Sequence, residues 1–294
     1  MTSSQNADVD REGFVEVPGA RLYYRLRGRG SGPLLLLAPG GGSDAEDSSA
    51  LADALVDRYT VLVYDRRGLS HSTIDDGTIN DGAAMSTAIE THADDVHRLL
   101  ATITDQPAFV FASSIGALIC LEFTTKHPEQ VRALVAHEAA LATLLVEPDR
   151  SRVAAMQGRI EEAYKRDGVF AAMQRLVEIT GNPADDREQE TERSIPNTQR
   201  VMQYSANLEF FLTHDIPAAH HHELDFAALK AAAGLIIPAA GRLSRGLIPY
   251  TCAHALAVQL DRPLVEFPGG HTGNAQRPRA FAATLEQTLA KYAQ

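Results

Sequence analysis

The chain has 294 residues, 45% hydrophobic and 22% charged, the balance of an ordinary folded protein and not of a disordered or collagen-like one. Its formal charge of −11 excludes nucleic acid and anionic membrane surfaces as expected partners, because phosphate backbones are held by clustered Lys and Arg. The polar N-terminal stretch has no apolar signal core and no run reaches the ~18 apolar residues of a membrane span, so a soluble, cytoplasmic protein is expected.

Residues 14–17 and 20–27 alternate around Pro18-Gly19 and predict an antiparallel hairpin. The wholly apolar run 34–38 predicts a strand buried on both faces, ended by the turn Pro39-Gly40-Gly41-Gly42. A helix over 46–57 leads to a strand at 60–64 and the turn Asp65-Arg66-Arg67-Gly68. Apolar residues at helical spacing, Ile89, Ala93, Val96, Leu100 and Ile103, mark an amphipathic helix over 86–104 before a third buried strand at 108–112. A helix over 114–126 and a strand at 131–137 continue an alternation that predicts a parallel, doubly wound α/β sheet.

Between residues 139 and 225 the strand pattern vanishes and charge-rich helical segments follow, broken at Gly181-Asn182-Pro183 and Ile195-Pro196. This segment reads as a helical cap inserted between core parts 1–138 and 226–294, with Met173, Leu176, Tyr204, Phe210 and Phe211 facing a substrate. Within it His220-His221-His222 cannot all converge on one metal ion from regular structure, so a solvated loop is expected and no metal is assigned. Cys120 and Cys252 match no metal or redox spacing. Strands at 235–239 and 264–267, a helix over 251–259 and a last helix over 278–292 complete the core.

Three segments carry chemistry. Ala112-Ser113-Ser114-Ile115-Gly116 follows a buried strand and opens a helix, a tight turn of small residues that would hold Ser114 at a strained strand-to-helix corner. The plainer reading of Ser114 is a helix N-cap. Pro268-Gly269-Gly270-His271 places a histidine just after the last strand, where a neutral imidazole can take a serine proton. The glycine run at 40–42 can turn backbone N–H groups toward an oxyanion, with Gly41 and Ile115 as the candidate donors.

In this order and spacing the motifs, with the Asp65–Gly68 turn, resemble the α/β-hydrolase superfamily. The resemblance implies an eight-stranded, mostly parallel sheet with an inserted helical cap and a triad ordered serine, acid, histidine. The chain departs from that pattern at the acid, which in most members follows the next-to-last strand. Here Ala240-Gly241-Arg242-Leu243-Ser244 carries no carboxylate, and none occurs anywhere from 226 to 260. Glu138, after the strand that neighbours the one bearing Ser114, is the replacement, an arrangement that resembles zearalenone-type lactonases. His137 points the opposite way along that strand and is not expected to be a second base.

Together these readings predict a cofactor-free serine hydrolase of an ester or lactone, with Ser114, His271 and Glu138 as catalytic residues. The resemblance does not identify the substrate, and the apolar residues of the cap are what point to a small apolar one. A cofactor-free oxygenase or cyclase using His271 as base, and a catalytically silent binder, are the competing readings. A serine at the elbow weighs against epoxide hydrolase or dehalogenase chemistry, which needs an aspartate there. A homodimer is left open.

Overall fold

The computed structural model describes residues 8–29, 31–75, 88–181 and 198–292. Its organising element is the apolar run Leu34–Ala38 (β3), which lies between β4 (Thr60–Tyr64) and β6 (Ala108–Ser113) and pairs in parallel with both. Successive side chains of a strand point to opposite faces. Leu36, Leu62, Val110 and Leu134 accordingly join one apolar cluster, and Leu35, Leu37, Val61, Phe109 and Val135 join the other. A strand buried on both faces is apolar along its buried middle, as residues 35–38, 61–64 and 108–112 are.

The sheet follows the order β1-β2-β4-β3-β6-β7-β8-β9, with β1 (Asp8–Val17), β2 (Ala20–Arg29), β7 (Val131–His137), β8 (Ile236–Gly241) and β9 (Val265–Phe267). The eight strands expected form this path, and a two-residue ninth strand, β5 (Thr73–Ile74), pairs with β2. Helices Ala88–Ile103, Ile115–Lys126 and Ile248–Leu260 cover one face, while Pro278–Leu289 packs on the other.

The chain leaves β3 toward β4 on one side and returns to β6 on the other. The switch in strand order therefore falls between β3 and β6, where the loops at the carboxyl ends of the two strands open a crevice. Those loops are Pro39–Ser43 and the turn at Ser114, and register pairs Ala38 with Ala112 across the gap.

Several sequence expectations need correcting. The helix expected over 46–57 is only Ser49–Asp53, because Asp44 accepts from the backbone N–H of Glu46 (3.0 Å) and Asp47 (3.1 Å) and holds that stretch as a turn. β1 begins at Asp8 rather than residue 14, its polar half held to β2 by pairs such as Arg25 with Asp10 and Tyr23 with Glu12. The helix expected at 251–259 runs Ile248–Leu260. The start of the helix expected at residue 86, the breaks at Asn182-Pro183 and Ile195-Pro196, and the first seven residues lie outside the described residues.

Between β7 and β8 the described residues form the helices Asp149–Asp167, Val169–Thr180 and Thr198–Phe210, a π-helical turn Phe211–Asp215, and the helix Ile216–His221. The histidine run is not a solvated loop. His220 and His221 end the last of these helices, and His222 is buried with its ring nitrogens 3.3 Å from Glu90 and 3.2 Å from Glu122. Glu122 also pairs with Lys126 at 2.7 Å. One imidazole nitrogen lies beside Glu90 and the other beside Glu122, so these contacts tie the end of the inserted helices to two helices of the core. Among the described residues no helix is long and apolar enough to cross a membrane.

Candidate active site

Ser114 stands between β6 and the helix Ile115–Lys126 with φ of 55°, a left-handed conformation that costs a non-glycine residue of the order of 1 kcal/mol or more. Its side chain makes no capping hydrogen bond, so the N-cap reading fails. The corner is closed by small residues. A Cβ on Gly116 would come within 2.4 Å of the Ala38 carbonyl, and one on Gly40 within 2.5 Å of Ser114 Cβ. Ala112 is tolerated where the family motif has glycine because its partners across both neighbouring strands are Ala38 and Ala136.

Glu138 follows β7 and also has a left-handed backbone, φ 47°. Its N–H donates to the Ala239 carbonyl of β8 at 2.8 Å. The carboxylate, 1% exposed, accepts from the Gly241 N–H at 2.8 Å through Oε1 and stands 2.7 Å from His271 Nδ1 through Oε2. The residue just after β7 thus delivers its carboxylate to the end of β8, where the family's usual acid would sit. Position 241 has no room for a side chain, since a Cβ there would meet the Gly270 carbonyl at 2.5 Å. Burial works to raise the Glu138 pKa, but the hydrogen bond from His271, with the His137 and His271 rings beside the carboxylate, outweighs it and holds the carboxyl below its ordinary range.

Gly41 has φ of 58° and a Cβ position facing open space, and the Ser43 N–H donates to the Gly40 carbonyl at 3.2 Å. A trans peptide points its N–H opposite its C=O. With the Gly40 carbonyl turned into the bend, the Gly41 N–H is directed out of it. Ile115 is the first residue of its helix, so its N–H is among those without an intrahelical partner.

Two cavities meet at Ser114 and His271. One of about 150 Å³ is lined by apolar residues including Leu141, Ile160, Phe211 and Ile248, with Gln157 and Cys252. The other, of about 230 Å³, is bordered by Gly40–Ser43, Met173, Leu176 and Tyr204. Of the five inserted residues expected at the substrate, Met173, Leu176, Tyr204 and Phe211 line these cavities. Phe210 instead stacks on His214 and closes over Gly68. Gln157 and Cys252 had no signal in the sequence beyond their type.

His137 is fully buried among Phe111, Phe267 and Phe281, and neither ring nitrogen has a hydrogen-bond partner. Desolvation pushes its pKa down to about 4. Unfolded, this histidine takes a proton as pH falls through about 6.5, whereas the folded chain refuses it until about 4. Stability is therefore lost progressively across that window, by on the order of 3 kcal/mol at its lower end. His137→Leu is expected to flatten the fall in unfolding free energy between about pH 6.5 and 4.5, measured by urea titration of both proteins. Parallel pH profiles would show that His137 is not the cause.

A family model described as alpha/beta hydrolase fold matches residues 33–176. The chain is 38% identical over 283 residues to a protein named uncharacterized hydrolase YraK from Bacillus subtilis (strain 168), covering 95% of this chain and 96% of that one. It is 30% identical over 132 residues to the 2-(acetamidomethylene)succinate hydrolase of Mesorhizobium japonicum, covering 44% of this chain and 45% of that protein. The crystal structure of the enol-lactonase from Burkholderia xenovorans LB400 superposes with a TM-score of 0.62 at 20% identity, over 95% of this chain and all of the other. At that identity the likeness concerns the fold.

Proposed function

The chain belongs to the α/β-hydrolase superfamily, and from that premise we propose that it is a cytoplasmic serine hydrolase that cleaves a small apolar ester or lactone without a cofactor. The observation that carries this reading is the 2.7 Å contact between Glu138 and His271 Nδ1, in a crevice that His271 shares with a strained, uncapped Ser114. A carboxylate on Nδ1 keeps the proton there and leaves Nε2 free to act as a base.

In this mechanism His271 Nε2 accepts the Ser114 proton as Oγ bonds to the substrate carbonyl carbon. The negative oxygen is held by the N–H groups of Gly41 and Ile115. The tetrahedral intermediate collapses, the C–O bond to the leaving group breaks, and the imidazolium returns its proton to the departing oxygen. Water then attacks the acyl-enzyme with His271 again as base and restores the serine hydroxyl. Throughout, Glu138 stays ionised and stabilises the transient imidazolium.

The substrate class is read from the cavities. The apolar cavity of about 150 Å³ suits a benzene-sized group better than a long chain, and the cavity of about 230 Å³ that meets it at Ser114 takes the other part of the substrate. The inserted helices, through Leu176 and Phe211, form part of both cavities and set this choice. Two measurements test the proposal. A fluorophosphonate should add one equivalent of mass to the protein, on Ser114. A panel of p-nitrophenyl esters and lactones in the presence of a chelator should show turnover that falls by ~10-fold or more between acyl chains of about six and about twelve carbons. Absence of labelling, or activity that needs an added metal, would overturn the mechanism.

A further inference from the structure

The glycine loop that supplies the Gly41 N–H is short, yet two of its carbonyls are held by side chains from other parts of the chain. The Gly41 carbonyl accepts from Arg66 Nη2, and Arg66 Nη1 donates to Asp215 Oδ2 at 2.6 Å. Both side chains of that pair are 1% exposed, and His92 Nε2 lies 3.4 Å from the other Asp215 oxygen. The next carbonyl, Gly42, accepts from Asn207 Nδ2 at 3.1 Å. Asn207 also bonds the Ser70 hydroxyl (2.8 Å) and accepts from the Ser70 N–H (2.9 Å), so both ends of its amide are committed. Further along, Asp65 accepts from the Ala45 N–H at 2.8 Å, and Asp44 and Asp47 pair with Arg200.

Arg200, Asn207 and Asp215 all come from the inserted segment, on the helix Thr198–Phe210 and the π-helical turn that follows it. The contact is close enough that a Cβ on Gly42 would lie 3.0 Å from backbone atoms of Asn207 and Leu208. The wider π turn sets Phe211 and Asp215 inward together, one against the cavities and the other against Arg66.

Building on the serine-hydrolase reading, we propose that Asn207 and Asp215 are positioning residues for the oxyanion loop, so that docking of the inserted helices aligns the Gly41 N–H. Two consecutive carbonyls held by anchored donors fix the planes of their peptides, and with them the rotation of the Gly40–Gly41 unit that bends back through the Ser43 N–H. The segment that shapes the substrate cavity and the donor that stabilises the transition state then form one mechanical unit.

A merely structural contact would change stability or affect all ligands alike. Misalignment of an oxyanion donor acts only where charge develops on oxygen. Asn207→Ala removes the Gly42 contact, and Asp215→Asn keeps the shape of the Arg66 pair but not its charge. Full removal of one donor costs 10²- to 10³-fold in kcat, so displacement of the loop should cost ~10- to 100-fold with KM within ~2-fold of wild type. The matched readout is inhibition by an alkyl trifluoromethyl ketone, which forms a tetrahedral oxyanion on serine, against the corresponding methyl ketone. The expected result is a weakening of the first that tracks the loss in kcat, with the second unchanged. Should Asn207→Ala fail to fold, Asp215→Asn gives the same ratio. Folded variants with unaltered kcat and ketone ratio, or with both ketones weakened equally, would overturn the positioning role. A wild-type enzyme that binds the trifluoromethyl ketone no better than the methyl ketone would overturn the serine-hydrolase reading itself.

Discussion

Ser114→Ala should lower kcat by about 10⁴-fold or more and abolish fluorophosphonate labelling while the fold is kept. His271→Ala should do the same kinetically, since nucleophile and base act as a unit and losing either forfeits the shared step. Their stabilities should part company. The Ser114 hydroxyl does not cap its helix, so its removal costs little. Removing the His271 ring leaves Oε2 of a 1% exposed carboxylate without its partner, which should cost about 1–3 kcal/mol. A third variant separates strain from chemistry: Ser114→Gly relieves the positive φ and should unfold at higher denaturant, by ~1 kcal/mol, while remaining as inactive as the alanine variant. Steady-state rates on a short p-nitrophenyl ester, with urea unfolding of each protein, check all three. Turnover by Ser114→Ala near the wild-type rate would instead favour chemistry in which His271 acts as base without an acyl-enzyme.

What was legible in the sequence follows from what each element must satisfy. β3, β4, β6 and β7 are buried on both faces and show as apolar runs, and the turns after β3 and β6 show because they need small residues. Glu138 could be reached by elimination, from a resemblance and a stretch of chain with no acid in it. The polar half of β1 could not be read, because a two-stranded edge with both faces exposed loses the alternation that marks a strand. The short helix Ser49–Asp53 was overestimated because helical composition says nothing of an aspartate that binds the backbone ahead of it. The Arg66, Asn207 and Asp215 contacts join positions more than a hundred residues apart, and His222 is buried only because Glu90 and Glu122 meet it from two other helices. No local pattern encodes such meetings.

Glu138→Gln is the sharper test of the unusual acid, because it changes charge and proton inventory while keeping shape. The glutamine carbonyl can still accept from the Gly241 N–H, as Oε1 does at 2.8 Å. Its amide NH₂ then faces His271 Nδ1, which must become an acceptor, and the ring proton moves to Nε2. An imidazole protonated at Nε2 cannot take the Ser114 proton, so kcat should fall by about 10³- to 10⁴-fold with KM little changed. Flipping the amide does not rescue the base, for it sets the NH₂ against the Gly241 N–H, donor to donor. Glu138→Leu keeps no acceptor at all and should add about 1–3 kcal/mol of destabilisation from the buried N–H, with no greater kinetic loss than glutamine. If instead Glu138→Gln retained a tenth or more of wild-type activity while Glu138→Leu unfolded, the carboxylate would be a fastening between β7 and β8, and His271 would take its orientation from its own loop.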